Sequence, residues 1–194
     1  MPYRIGHRAA VRKRIIDSAR RLFNRRGFEC TSVSQIMAGA GLTPGVFYRY
    51  FESKSDLYTE VLGCFFPDPE WKNCWEGVHV DLSSTAVGPQ VVRAYLSRQH
   101  CEDVENSCPM IALPADVARS SIGAKRAFET VFKAMASVLA RSAPMRGGQR
   151  RATAQAIAAL SIGGMVVARA MLDRALADEL RPAWCGPPAI DRLG

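Results

Sequence analysis

Apolar positions recur at helical spacing along the whole chain, and no stretch alternates convincingly with the period of two that marks a strand. Ile15, Ile16, Ala19, Leu22 and Phe23 form one stripe, which predicts a helix over about Ala9–Arg26 ended by Gly27 and Phe28. Val33, Ile36, Met37 and Ala40 form a second, shorter stripe. Ser32 stands at its N-cap with Gln35 three residues on, and Gly41 followed by Leu42 is a stop signal. Thr43 and Pro44 open a two-turn helix over about Pro44–Phe51, in which Phe47 and Phe51 lie one turn apart. Ser53, with Asp56 three residues later, caps a fourth helix over about Lys54–Phe66, which Pro67-Asp68-Pro69 ends. Its apolar residues are Leu57, Tyr58, Val61, Leu62 and Phe65.

Beyond Pro69 the pattern loosens and then resumes. Trp71 and Trp75 are spaced for a helical turn, while Gly77, Ser83, Ser84 and Gly88 favour loop. Helices follow over about Gln90–Cys101 and Cys108–Ser120, the second kinked or split by Pro114. Gly123–Arg141 is strongly periodic, Gln149–Arg174 is the longest apolar helix, and Ala175–Leu180 is a short continuation stopped by Pro182. The pattern describes an all-α chain of about nine helices without internal repeats.

Two short helices joined by a glycine turn are a helix-turn-helix, whose second helix enters the major groove of DNA. Charge supports that reading. The chain has a net charge of +8, and residues 1–60 hold eleven Lys or Arg against five Asp or Glu. A basic run alone describes a solvated face, but one on the segment that bears this motif marks a nucleic-acid surface. Side chains at the start of the second helix reach base edges while their neighbours grip phosphate, which nominates Thr43, Pro44, Gly45, Val46, Tyr48 and Arg49. Gly45 permits close backbone approach. Arg49 suits a bidentate contact to guanine and equally a phosphate. Phe47 and Phe51 belong to the core, and Tyr50 is open to either role. Residues 1–8 read as a flexible basic arm, placed either to brush phosphates or to be simply disordered.

The run TSVSQIMAGAGLTPGVFYRYFESKSDL, from Thr31 to Leu57, resembles the signature of the TetR (tetracycline-repressor-like) family of bacterial regulators. The resemblance rests on Thr31-Ser32-Val33, Gly41, Gly45, the aromatic block Phe47-Tyr48-Arg49-Tyr50-Phe51 and Ser53-Lys54. Met37 and Tyr50 depart from the common residues there, without removing a cap or a turn. The resemblance implies a three-helix DNA-binding domain over 9–66, with the helix-turn-helix at about 32–51, and a helical regulatory and dimerisation domain over 67–194. It implies backbone contacts to double-stranded DNA from Thr31 or Ser32, Tyr48, Tyr50 and Lys54. It further implies a homodimer on a palindromic operator, formed by the last two helices. Small or apolar residues there, Ala152, Ala156, Ala159, Gly163, Val167 and Leu176, suit a close helix crossing. An unknown small-molecule effector would occupy a pocket whose candidates are Phe65, Trp71, Trp75, Met110, Phe128, Phe132, Met135 and Met165, residues equally at home in an ordinary core. The function implied is a cytoplasmic repressor released from its operator by that ligand.

The remaining chemistry narrows the field. The chain has no phosphate-binding glycine loop, nucleophile elbow or paired carboxylates, and only three histidines, so an enzyme is not expected. Six cysteines, at 30, 64, 74, 101, 108 and 185, are scattered as reduced thiols are, and none has metal-site spacing with another Cys or His. No metal and no cofactor are expected. Cys108, beside Asn106 and Ser107 at a predicted helix N-terminus, is placed to favour a thiolate. It offers the alternative of a redox- or electrophile-sensing repressor. The N-terminal residues Arg4, Arg8, Arg12, Lys13 and Arg14 enclose no apolar segment of the kind a secretory signal needs. The apolar run Ala156–Ala168, interrupted by Ser161, Gly163 and Gly164, is short for a bilayer span, so no membrane association is expected.

Overall fold

The computed structural model describes residues 3–64, 79–142 and 147–181, and the chain divides into two compact units. The first comprises Met1–Pro67 with Val104–Val131, the second Asp68–Asp103 with Phe132–Gly194. The described residues hold eleven helical segments and no strand. They exceed the expected number because two predicted helices are each divided.

In the first unit α1 spans Tyr3–Arg26, six residues longer at its start than the apolar stripe predicts. Residues 3–8 are therefore helix and not a loose arm. Nothing in Arg8, Ala9 and Ala10 breaks a helix, and alanine and arginine favour one. Its buried stripe is Val11, Ile15, Ala19 and Phe23, four apart throughout, with Ile16 and Leu22 half-buried at its margin. Gly27 ends the helix at φ +78°. Helix α2, Val33–Gly39, starts from the predicted capping box: Gln35 N–H donates to Ser32 Oγ at 3.2 Å and Ser32 N–H to Gln35 Oε1 at 2.9 Å. Gly41, at φ +66°, is the left-handed stop, with Leu42 N–H donating to the Met37 carbonyl at 2.9 Å.

The second helix of the motif, Pro44–Arg49, is wound as a 3₁₀ helix and not as the α-helix expected to Phe51. Six residues with Pro44 and Gly45 at the start leave little room for i→i+4 bonds. Helix α3, Lys54–Cys64, buries Leu57, Tyr58, Val61 and Leu62, while Phe65 lies outside the described residues. The short helices α6, Pro109–Ala112, and α7, Pro114–Arg119, are separated at Leu113 by the proline expected to interrupt them. Phe23, Phe28 and Tyr58 meet as an aromatic cluster with centroids 4.7–5.8 Å apart. Leu113 and Val117 join the same core.

In the second unit the predicted Gln90–Cys101 helix is two helices, α4 over Val87–Tyr95 and α5 over Arg98–Glu102. Ser97 divides them because it is an N-cap, with His100 N–H donating to Ser97 Oγ at 3.2 Å. Val91, Val92, Tyr95 and Leu96 are buried as expected. Helix α8, Ile122–Ala140, belongs to both units, the division falling after Val131. Helices α9, Gly147–Ala170, and α10, Arg174–Leu180, complete the second unit. Arg169 of α9 fastens the end of α5, donating to the His100 carbonyl at 2.7 Å and the Cys101 carbonyl at 3.0 Å. Arg181 is buried, donating to the Leu96 carbonyl at 2.6 Å and pairing with Asp178.

Candidate nucleic-acid interface

The helix-turn-helix is held in place from α1. Ser18 Oγ donates to the Ile36 carbonyl at 2.8 Å, and a Cβ on Gly39 would come within 2.4 Å of that same oxygen, so α1 and α2 cross closely. Arg14 donates to the Ala40 carbonyl just before the turn. Phe47 and Phe51 are buried beneath the 3₁₀ helix and Val46 packs half-buried against the same core, while Pro44, Gly45, Tyr48 and Arg49 are exposed.

Thr43, Pro44, Gly45, Tyr48 and Arg49 are exposed, while Val46 and Tyr50 are half-buried against the core. Tyr48 is 71% exposed, its ring meeting Phe47 edge-on at 5.2 Å. Tyr48 thus presents most of its ring and its hydroxyl to the outside of the unit. A Cβ built on Gly45 would meet nothing within 4 Å, and its φ is not positive. Nothing among the described residues requires glycine at that position, whereas a close external surface would. Among the described residues no carboxylate pairs with Arg49.

Two candidates are committed inward. Thr31 is 1% exposed, and its hydroxyl donates to the Gly27 carbonyl at 2.8 Å. Lys54 donates to the Phe28 carbonyl at 2.9 Å and the Thr31 carbonyl at 3.0 Å, with its ammonium 4.1 Å from the Phe28 ring centroid. These bonds shape the turn that leads into α2. Ser32, by contrast, is exposed at the N-terminus of α2, where free N–H groups face outward. The same turn is tied from the other side: Phe28 N–H donates to Asp116 Oδ2 at 2.9 Å. Three side chains of α1 hold the segment that leads into α6. Arg20 donates to the Asn106 carbonyl, Asn24 to the Ser107 carbonyl at 2.8 Å, and Arg25 pairs with Glu105. Hydrophobic patterning carries no sign of these ties, because each joins groups about 80 residues apart in the chain.

The pocket candidates do not come together within one unit. Met110 and Phe128 belong to the first unit and Phe132, Met135 and Met165 to the second, while Phe65, Trp71 and Trp75 lie outside the described residues. A cleft of about 160 Å³ in the first unit is lined instead by Phe28, Glu29, Ser55, Tyr58, Asp116, Arg119, Ser120 and Ser121. Cys108 is fully buried at the N-cap of α6, and among the described cysteines Cys30 is the exposed one. Among the described residues no group of three or more metal-ligating side chains gathers.

Helix α9 has two apolar faces. Ala154, Ala158, Ser161, Met165 and Ala168 are buried within the second unit, and Ser161 Oγ donates back to the Ile157 carbonyl at 2.8 Å. The opposite face, Ala152, Ala156, Ala159, Leu160, Gly163, Val166 and Val167, is exposed and continues to Leu176 of α10. All six dimer candidates lie on this exposed apolar surface. Ser161, Gly163 and Gly164 do not interrupt the helix, so Gly148–Ala170 exceeds the apolar run Ala156–Ala168 and is long and apolar enough, by length and composition alone, to cross a membrane. The buried face is also that of a core helix.

Residues 15–61 match the family model described as bacterial regulatory proteins, tetR family. Within this stretch lie α2, the glycine turn, the 3₁₀ helix and most of α3. Over 51 residues the chain is 44% identical to the HTH-type transcriptional regulator AcrR of Shigella flexneri, which covers 26% of this chain and 24% of that protein. The chain thus matches about a quarter of that curated relative's length. The fold is shared more widely. The reduced form of E. coli NemR superposes with a TM-score of 0.66 at 18% identity, covering 90% of this chain and 93% of that one. FadR of Bacillus subtilis, solved in complex with stearoyl-CoA, superposes with a TM-score of 0.57 at 17% identity, covering 90% and 97%.

Proposed function

This chain is a member of the TetR family of bacterial regulatory proteins, and we propose that it is a homodimeric, ligand-responsive repressor of transcription acting in the cytoplasm. The observation that carries the DNA-binding part is the outward surface of the 3₁₀ helix. It presents an exposed tyrosine, a glycine with open space around it and an arginine that no described carboxylate pairs with, all on the more basic third of the chain. Ser32, Thr43, Pro44, Gly45, Val46, Tyr48, Arg49 and Tyr50 would meet the duplex. Arg49 would reach a base edge or phosphate, and the N-terminus of α2 a phosphate. Lys54 and Thr31 would act through the turn they hold. Residues 9–66 would carry this activity and 67–194 regulation and dimerisation.

The exposed face of α9 and α10 supports dimerisation. A surface of Ala, Gly, Val and Leu along about four turns of α9 is the kind that soluble proteins cover, and two such faces across a two-fold axis would form a helical interface. A dimer would also place two recognition helices on half-sites about one turn of DNA apart. Ligand control is proposed from family membership, with FadR's stearoyl-CoA complex as an instance in a protein of the same fold. An effector would act by favouring a dimer state that binds DNA less well, and could shift the balance only by its differential affinity for the two states. No enzymatic role is proposed. Complete burial of Cys108 disfavours the alternative of direct thiol oxidation, because an oxidant must reach the sulfur.

Fluorescence anisotropy with labelled duplex DNA, comparing wild type with Arg49→Ala, tests the reading. Wild type should bind with affinity that falls steeply with salt, and Arg49→Ala should bind more weakly and with less sequence preference. Identical affinity and selectivity for the two proteins would remove Arg49 from the interface.

A further inference from the structure

Helix α1 lays two arginines one turn apart over two consecutive aromatics at the end of the recognition segment. The Arg8 guanidinium carbon lies 5.9 Å from the Tyr50 ring centroid, and that of Arg12 lies 4.6 Å from the Phe51 centroid. The inner arginine is neutralised within the fold, since Arg12 pairs with Glu60 of α3. The outer one is not. Arg8 is exposed, and its Nη2 donates at 3.2 Å to a neutral acceptor, the Arg49 carbonyl. Other ion pairs among the described residues of the first unit join Lys13 and Arg20 to Asp17, Arg25 to Glu105 and Arg119 to Asp116. Among the described residues no carboxylate pairs with Arg8. Of the two arginines, the more exposed one, nearer the recognition surface, takes no counter-charge from the described residues.

We propose that Arg8 binds a phosphate of the DNA backbone beside the C-terminal end of the recognition helix, as a contact supplied from outside the helix-turn-helix. The inference rests on the DNA-binding reading above and names a further residue of the same surface. A guanidinium has five N–H donors in a planar fork, so one bond to a carbonyl leaves the rest of the fork for phosphate oxygens. The carbonyl end of a short helix carries partial negative charge that would repel a phosphate. Arg8 sits on that carbonyl and reverses the local sign. Stacking on Tyr50 and bonding to the Arg49 carbonyl also fix the side chain before DNA arrives, which lowers the entropy lost on binding. On a loose arm Arg8 would have no fixed position against the recognition helix. Only the extension of α1 to Tyr3 puts Arg8 in helical register with Arg12.

The test is anisotropy titration of a fluorescein-labelled duplex of mixed sequence with the full chain, over a series of KCl concentrations. Wild type, Arg8→Ala and Arg8→Lys are compared. Loss of one phosphate contact per protomer should weaken binding about tenfold and make the log–log salt slope shallower by about 0.9 per protomer. Arg8→Lys keeps the charge and should keep the slope. A wild-type slope in Arg8→Ala, whatever its affinity, would overturn the proposal, because a residue that merely braces the recognition helix changes affinity without changing the count of displaced ions. Should Arg8→Ala lower the melting temperature, Arg8→Lys and Arg8→Gln are compared instead, and equal slopes for that pair overturn it likewise. Failure of wild type to bind any duplex in a salt-dependent way would defeat the DNA-binding reading itself, and this inference with it.

Discussion

Replacing Lys54 by methionine separates two roles that the family pattern leaves merged. The methionine keeps the apolar stem and removes the ammonium. That ammonium donates to the Phe28 and Thr31 carbonyls at 2.9 and 3.0 Å and lies 4.1 Å from the Phe28 ring centroid. Hydrogen bonds to a charged group contribute about 1.5–3 kcal/mol each, and a cation over an aromatic ring about 0.5–1 kcal/mol at a half-exposed site. Taking the low end of each range, the loss should be about 3 kcal/mol, and more if the part-buried carbonyls are left without a partner. For a chain of this size each kcal/mol lowers Tm by about 2–4 °C, giving a fall of about 6–12 °C. Thermal melting followed by far-UV circular dichroism reads this directly. The reasoning is refuted if Lys54→Met melts with wild type while its DNA affinity and salt slope fall, for then the ammonium spends its charge on phosphate and not on the turn.

Three other perturbations have definite outcomes. Gly41→Ala places a Cβ at φ +66° and within 2.9 Å of the Arg14 guanidinium, so urea denaturation should show a loss of about 1–2 kcal/mol. His100 is buried, and desolvation, aided by the nearby Arg169, lowers its pKa from 6.5 to about 3, while its Nδ1–H donates to the Tyr95 carbonyl at 2.7 Å. The unfolded chain therefore binds a proton below pH 6.5 that the folded one refuses; stability is full above that pH and is lost as pH falls toward 3. At pH 5 the loss should be about 2 kcal/mol, and a wild-type Tm that does not fall between pH 7 and pH 5 would contradict it. Val167→Asp puts a carboxylate on the exposed apolar face of α9, where Val167 is 45% exposed in the single chain. Light scattering should find a monomer with its helical content intact; a dimer indistinguishable from wild type would remove this face as the interface.

How far the sequence foretold the molecule depends on how local each signal was. Ser32 with Gln35, Gly41 and Pro44 act within a few residues of themselves, and each stands where its chemistry predicts. Phe47 and Phe51, one turn apart, are buried as that spacing requires. Ser97 ends one helix and caps the next, a signal present in the sequence but outweighed by the apolar run on either side of it. The inward turn of Thr31 and Lys54 was beyond reach of pattern, since the acceptors are carbonyls of a loop whose path is known only once α1 and α3 are packed. Arg20, Asn24, Arg25 and Asp116 read as ordinary polar residues for the same reason. The pocket candidates show the limit from the other side: bulky side chains at helical spacing state that a residue is buried, not which neighbours it is buried with.

The central claim is that two recognition surfaces of this shape read DNA together. Selection of binding sequences from a random duplex pool by the purified full chain tests it most directly, since no target sequence has to be chosen beforehand. The expected result is enrichment of a palindromic sequence, with two half-sites related by a two-fold axis and bound by two protomers. Recovery of a single asymmetric site bound by one protomer, or no enrichment over the starting pool, would contradict it.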